Sequence, residues 1–456
     1  MSIFPFPPRL RALLLLLVVV LVGTGGRSHP VVAQPQEPDP RPNLIVIMAD
    51  DLGWNDIGYH GSEIKTPNLD RLAREGVRLH QHYAYSTCSP TRAALLTGQN
   101  PARFNIHGPL GTSADVTPED MHLTSGLQEA GYSTHISGKW HLGEEPADRP
   151  LRYGFDTSYG YLRGQIDPYT HRYKFGDHVT WHRNDHFVEE EGHVTDLITD
   201  EAIRVIETAG SLREEPFFLY VAHHSPHFPL NEPPSWIEPY EDVFDSAFRR
   251  HFAAAVTHLD HSVGRLVEAL ERTGLRENTM IVFLSDNGGQ QSWNAPDTQY
   301  NGRYAAHTRL GDNTPLRGWK KDLYEGGIRV PAFINWPEQL EAGHRVDVPT
   351  HVLDLSATLL EQAGAEPPAD LDGTSIWPLL TGPSAPSQWH DRRFYWRQSD
   401  LQTVREGDWK LIAPSPDLEG LELYNLAEDP HETNDLADQR SDKREALRQQ
   451  LEAWPW

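Results

Sequence analysis

One unit recurs along this chain and restricts its fold more than any other feature: a short apolar run, then a polar cluster, then a helical pattern. Residues 44–48 are apolar and lead into Asp50 and Asp51; residues 133–137 lead into Gly138, Lys139, Trp140 and His141. Residues 217–222 lead into His223, His224 and His227, and residues 281–284 into Ser285, Asp286, Asn287, Gly288 and Gly289. This is the βα alternation of a large, mostly parallel sheet sandwiched by helices, so the expected fold class is α/β. In such sheets ligands collect beyond the carboxyl ends of the strands. The polar clusters therefore fall where a site would be built.

Each cluster also has an ordinary explanation. An Asp-Asp pair after a strand serves as a helix cap or turn, and Asp-Asn-Gly-Gly as a turn. Lys139 reads equally as a solvated charge, and His227, between Pro226 and Pro229, as a loop residue held by backbone hydrogen bonds. If the strands share one sheet, however, Asp50, Asp51, Asp286 and Asn287 converge as hard oxygen donors, a set that selects Ca²⁺ or Mg²⁺. A zinc site would want more histidine and cysteine at the same place.

The chain has a single cysteine, Cys88, which cannot form an internal disulfide. Ser89 suits an N-cap, Pro90 a first helical turn and Gly98 a C-terminal cap, so a helix is expected over residues 93–97 with Cys88 at its positive end. Anions are stabilised at that end. A lone cysteine is ordinarily a small buried hydrophobe, but the neighbours here are polar, turn-forming and basic.

Residues 1–33 read as a signal peptide: Arg9 and Arg11 precede an apolar run over residues 13–22, and Val31-Val32-Ala33 offers a cleavage site. A membrane anchor made from the same run is the alternative, but about ten residues are too few to span a bilayer, so stable membrane insertion is not expected. A Pro-rich linker, residues 34–42, follows. Export without disulfides suits a periplasmic or secreted protein. The net charge of −25, from 65 acidic and 40 basic residues, repels nucleic acid and anionic membranes. An anionic substrate would need local cations.

The chain is expected to divide into a catalytic domain, residues 43–375, and a smaller C-terminal α+β unit, residues 376–456. In the latter, residues 393–397, 402–406, 409–412 and 423–426 read as short antiparallel strands and residues 442–453 as a helix. Trp389, Tyr395, Trp396 and Trp409 there are read as core or domain interface rather than sugar platforms.

These motifs resemble the type I sulfatases of the alkaline phosphatase superfamily over nearly the whole mature chain. Residues 44–53 look like that family's first strand and metal pair, and Cys88-Ser89-Pro90-Thr91-Arg92 like its nucleophile motif, with Thr91 where Ser is commonest. Gly138-Lys139-Trp140-His141-Leu142-Gly143 looks like its second signature. His227 matches its active-site histidine, Asp286 and Asn287 its remaining metal ligands, and Lys320, rather than Lys321, its second lysine.

The resemblance implies a sulfuric ester hydrolase. A modifying enzyme would oxidise Cys88 to Cα-formylglycine, whose hydrate is the nucleophile. One Ca²⁺ would be held by Asp50, Asp51, Asp286, Asn287 and residue 88. Asp286 would take the attacking proton, Lys139 and Lys320 would hold the sulfuryl oxygens, and His227 would serve as general acid. His141 would deprotonate the second hydroxyl, and Arg92 would hydrogen-bond the diol. The C-terminal unit resembles the smaller sulfatase domain. Residues 154–162, with His171 and Tyr173, are similar to a segment of N-acetylgalactosamine-4-sulfatases, which implies a sulfated glycan substrate, with aryl sulfates as generic ones. The loop 163–173 could stack on a sugar or be ordinary surface. The competing readings are a phosphatase, phosphodiesterase or phosphonate hydrolase on the same fold, and a non-catalytic receptor for sulfated glycans.

Overall fold

A computed structural model describes residues 41–455 apart from 114, 175, 213–214, 293–308 and 383. The expected signal peptide and the linker up to residue 40 lie outside the described residues. Ten strands form one sheet, in the order Arg345–Val346, Val77–Leu79, Ala332–Asn335, Thr279–Ser285, Asn43–Ala49, Phe217–Ala222, Ser133–Lys139, Thr157–Tyr161, Trp181–Arg183 and His186–Phe187. From Thr279–Ser285 to Thr157–Tyr161 every neighbouring pair is parallel. The sheet is mixed overall because Ala332–Asn335 and the strands beyond Thr157–Tyr161 run antiparallel to their neighbours.

The first strand shows why the sheet must be covered twice. All seven residues of Asn43–Ala49 are buried. Leu44, Val46 and Met48 face a core shared with Ala93 to Leu96, Leu123, Leu127 and Leu359. Ile45, Ile47 and Ala49 face the opposite core, shared with Ile198, Ala202, Val205, Leu259, Val263 and Leu266. The side-chain period of two divides one apolar run between two helical layers. One layer contains the helices Cys88–Thr97, His122–Glu129 and Val352–Gln362, the other Val194–Leu212 and Ala247–Thr273. Among the described residues no helix is long and apolar enough to cross a membrane.

A second, four-stranded antiparallel sheet follows in the order Arg393–Gln398, Leu401–Glu406, Trp409–Ala413 and Glu422–Asn425. The helix Ser441–Ala453 buries Leu447 and Leu451 against Tyr395, Val404, Leu411 and Leu423. Trp389, Phe394 and Trp396 belong instead to the large core, and Trp396 Nε1 donates to Ala84 O at 2.9 Å. Ile376, Leu379 and Leu380 also pack into the large core, so the small sheet itself begins at Arg393.

A buried ionic knot ties the four-stranded sheet to the short helix Glu325–Ile328. Lys410 Nζ lies 3.0 Å from Glu325 Oε1 and 2.8 Å from Glu432 Oε1, with all three side chains essentially inaccessible. Glu325 also accepts from Tyr83 OH at 2.6 Å, and Glu432 accepts from the Glu325 N–H at 2.7 Å. Removing one partner of such a group strands the others. Lys410→Met is expected to lower unfolding free energy by about 3–5 kcal/mol in urea titrations, and adding Glu325→Gln to it should recover part of that loss. Equal stability of Lys410→Met and the unmutated protein would contradict this account.

Candidate active site

Strand register brings the polar clusters together. Ala49 pairs with Ser285, and Met48 and Gly138 both pair with Ala222, so the carboxyl ends of four strands stop at one level. Asp50, Asp51, Lys139, Asp286 and Asn287 meet there. Gly138 permits the approach: it sits at φ +121°, and a Cβ on it would come within 1.9 Å of Ala222 O. Lys139 is the last residue of its strand rather than the start of a loop. Asp51 is held at φ 69° and His141 at φ 57°, conformations that carry strain outside glycine and that cluster at functional sites.

Cys88 opens a helix, Cys88–Thr97, that Gly98 ends in the left-handed conformation at φ 67°. The N-cap is Thr87, in extended backbone without a side-chain cap, and not Ser89. Ser89 lies inside the first turn, where its hydroxyl donates to His141 O at 3.0 Å and accepts from the Leu110 N–H at 2.9 Å; these tertiary partners take the role away from capping. Every residue of the helix is buried, polar ones included. Thr91 is one reason. Its hydroxyl donates to Asp286 O at 2.6 Å and accepts from the Tyr85 N–H at 2.9 Å, tying the nucleophile helix to the fourth strand end. Burial pushes the Cys88 thiol pKa up, against the opposing pull of Lys139 and Lys320.

Three buried ion pairs balance the site. Lys139 Nζ is 2.7 Å from Asp50 Oδ2, Lys320 Nζ 2.6 Å from Asp51 Oδ1, and Arg92 Nη2 2.8 Å from Asp286 Oδ2. Arg92 also donates to Lys139 O at 2.9 Å and Tyr220 OH at 3.3 Å, so it spans three strands. Burial, with Asp50 adding to it, pushes Asp286 up to about 6, and burial likewise raises Asp50. At Asp51 burial acts the same way, but Lys320 and His227 outweigh it and hold the carboxyl below its ordinary range. Lys321, by contrast, is exposed, and its backbone N–H donates to Ser86 O at 2.9 Å.

The oxygens left over define what could bind. Asp50 Oδ1, Asp51 Oδ2 and Asn287 Oδ1 are buried without hydrogen-bond partners. Asn287 spends its Nδ2 on Asp51 Oδ1 at 2.7 Å and Gly288 O at 2.9 Å, which turns its carbonyl oxygen free. Ligand atoms of Asp50, Cys88 and Asp286 lie within 4.8 Å of one another. Unpaired buried oxygens cost about 1–3 kcal/mol each, so a hard divalent cation fits this set. Asp50, His224 and His227 form a second possible group at the same separation. His224, however, has both ring nitrogens engaged, Nδ1 with Tyr161 OH at 3.3 Å and Nε2 with Pro229 O at 3.4 Å, and His227 Nδ1 donates to Phe228 O, which leaves His227 Nε2. This disfavours zinc.

The two candidate proton carriers differ. His141 Nε2 donates to Leu110 O at 3.2 Å, which leaves Nδ1 as a buried lone pair with no partner. His227 Nε2 faces Asp51 Oδ2 at 3.6 Å, and burial holds its pKa down to about 3. The structure thus brings together Asp50, Asp51, Cys88, Arg92, Lys139, His141, His227, Asp286, Asn287 and Lys320. Tyr220 and Gln398 were not foreseen. Gln398 Oε1 accepts from Ser86 Oγ and Thr87 Oγ1 at 3.1 Å each, immediately before the nucleophile, and its partner is over three hundred residues away in sequence.

Residues 154–162, which suggested a 4-sulfatase, are mostly strand interior: Phe155, Tyr159, Tyr161 and Leu162 are buried. Strand packing accounts for most of that segment, and His171, stacked on Trp181 at 4.8 Å between centroids, is buried with it.

A large mixed sheet covered by helices, with this cluster at its carboxyl edge and a small antiparallel sheet beside it, defines the alkaline-phosphatase-like hydrolases. Residues 42–365 match the sulfatase family model, and residues 317–454 match that of the N-sulphoglucosamine sulphohydrolase C-terminal region. The chain belongs to the sulfatase family. It is 33% identical over 416 residues to arylsulfatase J of Mus musculus, covering 82% of this chain and 65% of that protein, just under two thirds of its length. It is 34% identical over 395 residues to N-acetylgalactosamine-6-sulfatase of Mus musculus, covering 81% and 71%. The crystal structure of Ps i-CgsB in complex with k-i-k-neocarrahexaose superposes with a TM-score of 0.80 at 31% identity, covering 91% of this chain and 93% of that one.

If the orphaned oxygens are cation ligands, adding Ca²⁺ to chelator-treated protein should stabilise it, by about 2.7 kcal/mol at a hundredfold excess over Kd. Asn287→Ala should weaken that gain. A melting temperature indifferent to divalent cations would remove the cation from this site.

Proposed function

We propose that this chain hydrolyses sulfate esters of a sulfated glycan at Cys88, after conversion of the cysteine to formylglycine, with Ca²⁺ at the site. The observation that carries this reading is the placement of Cys88 at a helix N-terminus within reach of Asp50 and Asp286, with Arg92, Lys139 and Lys320 buried around it. A sulfate ester is a hindered anion, and its cleavage needs charge neutralisation, a strong nucleophile and a proton for the leaving oxygen.

Asp50, Asp51, Asp286 and Asn287 would hold the cation, and the formylglycine would stand at position 88. When bound, these groups supply a polarising charge and an oxygen nucleophile in place of the thiol. Lys139 and Lys320, whose charges act on Cys88, would hold the sulfuryl oxygens of an ester at residue 88. Asp286, raised toward neutrality by burial, suits the acceptance of a proton from the nucleophile. His141, with its free Nδ1, suits proton removal in the release step, and Ser89 fixes the backbone that carries it. His227 reaches the general-acid role once its Nε2 takes up a proton, which an anionic ester beside it favours. Arg92 orients Asp286 and the strand end at Lys139. Export follows from the sequence pattern of residues 1–33 and belongs to the same proposal.

Mass spectrometry of the peptide containing residue 88 should find a species that has lost one sulfur and two hydrogens and gained one oxygen, in protein made by a host with the modifying enzyme. Aryl sulfate should be turned over in preference to aryl phosphate. Cys88→Ala should lower kcat by at least about a thousandfold while still binding sulfated glycan, and His227→Ala by about a hundredfold or more. Undiminished turnover by Cys88→Ala would sink the mechanism, and preference for phosphate would transfer the chain to phosphoryl chemistry.

A further inference from the structure

A second cationic pocket lies on the same rim of the large sheet. Val77–Leu79 runs antiparallel to Ala332–Asn335, which in turn runs antiparallel to Thr279–Ser285. Its carboxyl end, at His80, therefore points the same way as the strand that delivers Asp286. Two strand spacings, about 10 Å, separate these strands. Beyond His80 a cavity of about 260 Å³ is lined by Trp54, Tyr59, His60, Arg78, His80 and Arg345.

The charge in this cavity is only partly compensated. Arg78 forms no ion pair among the described residues, and its Nε is buried without a hydrogen-bond partner; Tyr59 OH is buried and unpartnered as well. Arg345 Nε is 2.8 Å from Asp347 Oδ1, but both side chains are about half exposed, which makes that pair weak. Arg329, over the Trp54 ring at 4.6 Å, fixes the wall, with His60 stacked on Trp54 at 3.9 Å. The two histidines register the positive field. Burial and then Arg329 and Arg345 hold His80 down to about 4, and burial holds His60 down to about 3. In a chain of net charge −25, an unpaired, partly buried arginine beside unpaired donors is not explained by folding.

We propose that this pocket binds an oxyanion, sulfate or carboxylate, carried on the same glycan chain whose ester is cleaved at residue 88. Arg78 and Arg345 supply charge-assisted hydrogen bonds and Tyr59 OH a neutral donor. The inference rests on the sulfatase reading for its ligand class, and adds to it a preference for chains with more than one anionic group. The spacing along the rim suits an extended oligosaccharide, with one anion in each site.

The test is calorimetric binding to the full-length Cys88→Ala protein, with a sulfated galactan hexasaccharide, a singly sulfated monosaccharide and inorganic sulfate as probes. Arg78→Gln and, separately, Arg345→Ala are expected to weaken hexasaccharide binding by about tenfold and leave monosaccharide binding unchanged. Thermal melting of Arg78→Gln should match the unmutated protein, because no ion pair is lost. Hexasaccharide affinity that neither substitution lowers below that of the parent Cys88→Ala protein overturns the proposal. Inorganic sulfate bound as tightly as the hexasaccharide, and equally sensitive to Arg78→Gln, overturns the glycan as its source. Turnover of aryl sulfate by the unmutated enzyme tests the sulfatase reading separately, and binding needs no turnover, so either can fail alone.

Discussion

Three carboxylates and three cations, all withdrawn from water, hold one another at the carboxyl edge of the sheet: Asp50 with Lys139, Asp51 with Lys320, Asp286 with Arg92. Each ion brought into such an interior costs several kcal/mol unless its partners are well placed. The surrounding structure therefore has to fix them. Asp51 is forced into a left-handed backbone, Arg92 is braced by Tyr220 and Lys139 O, and Thr91 ties its helix to Asp286. The pairs satisfy one oxygen of Asp50 and one of Asp51, and leave the other oxygen of each buried without a hydrogen-bond partner. A site that is neutral overall and yet rich in free oxygens suits a cation and an anion arriving together.

The small sheet acts on this cluster without contributing a charged group to it. Trp396 and Gln398 hold the segment Ala84 to Thr87, which delivers the nucleophile helix. On another side, Lys410 grips Glu325, and Gly326 lies so close to Gly288 that a Cβ on the latter would come within 1.8 Å of Gly326 O. Both Cys88 and the Asp286–Asn287 turn are thus buttressed from the C-terminal part of the chain. Loss of that part would loosen the geometry of residues it never touches.

Much of this was legible in the sequence because the relevant signals are local. Apolar runs ending in Asp, Lys and His marked the strands and their carboxyl ends, and Gly98 marked where the nucleophile helix stops. Short strand-like runs separated by turn residues near the C-terminus marked a separate small sheet. Local signals failed where a side chain had two possible partners. Ser89 has the chemistry of an N-cap, but its hydroxyl is engaged by His141 O and the Leu110 N–H, so Thr87 takes the cap position. Residues 154–162, similar to a segment of N-acetylgalactosamine-4-sulfatases, bury Phe155, Tyr159, Tyr161 and Leu162 in the interior.

The sequence by itself determined the strand–helix alternation, the donor types and the lone cysteine, since these depend on residue identity and short-range periodicity. Only the tertiary structure decided which oxygens are spent and which are free, that Tyr220 and Gln398 support the site, and that Arg78 forms no ion pair among the described residues. Those facts depend on strand register and on contacts between residues hundreds of positions apart, and no local pattern encodes them.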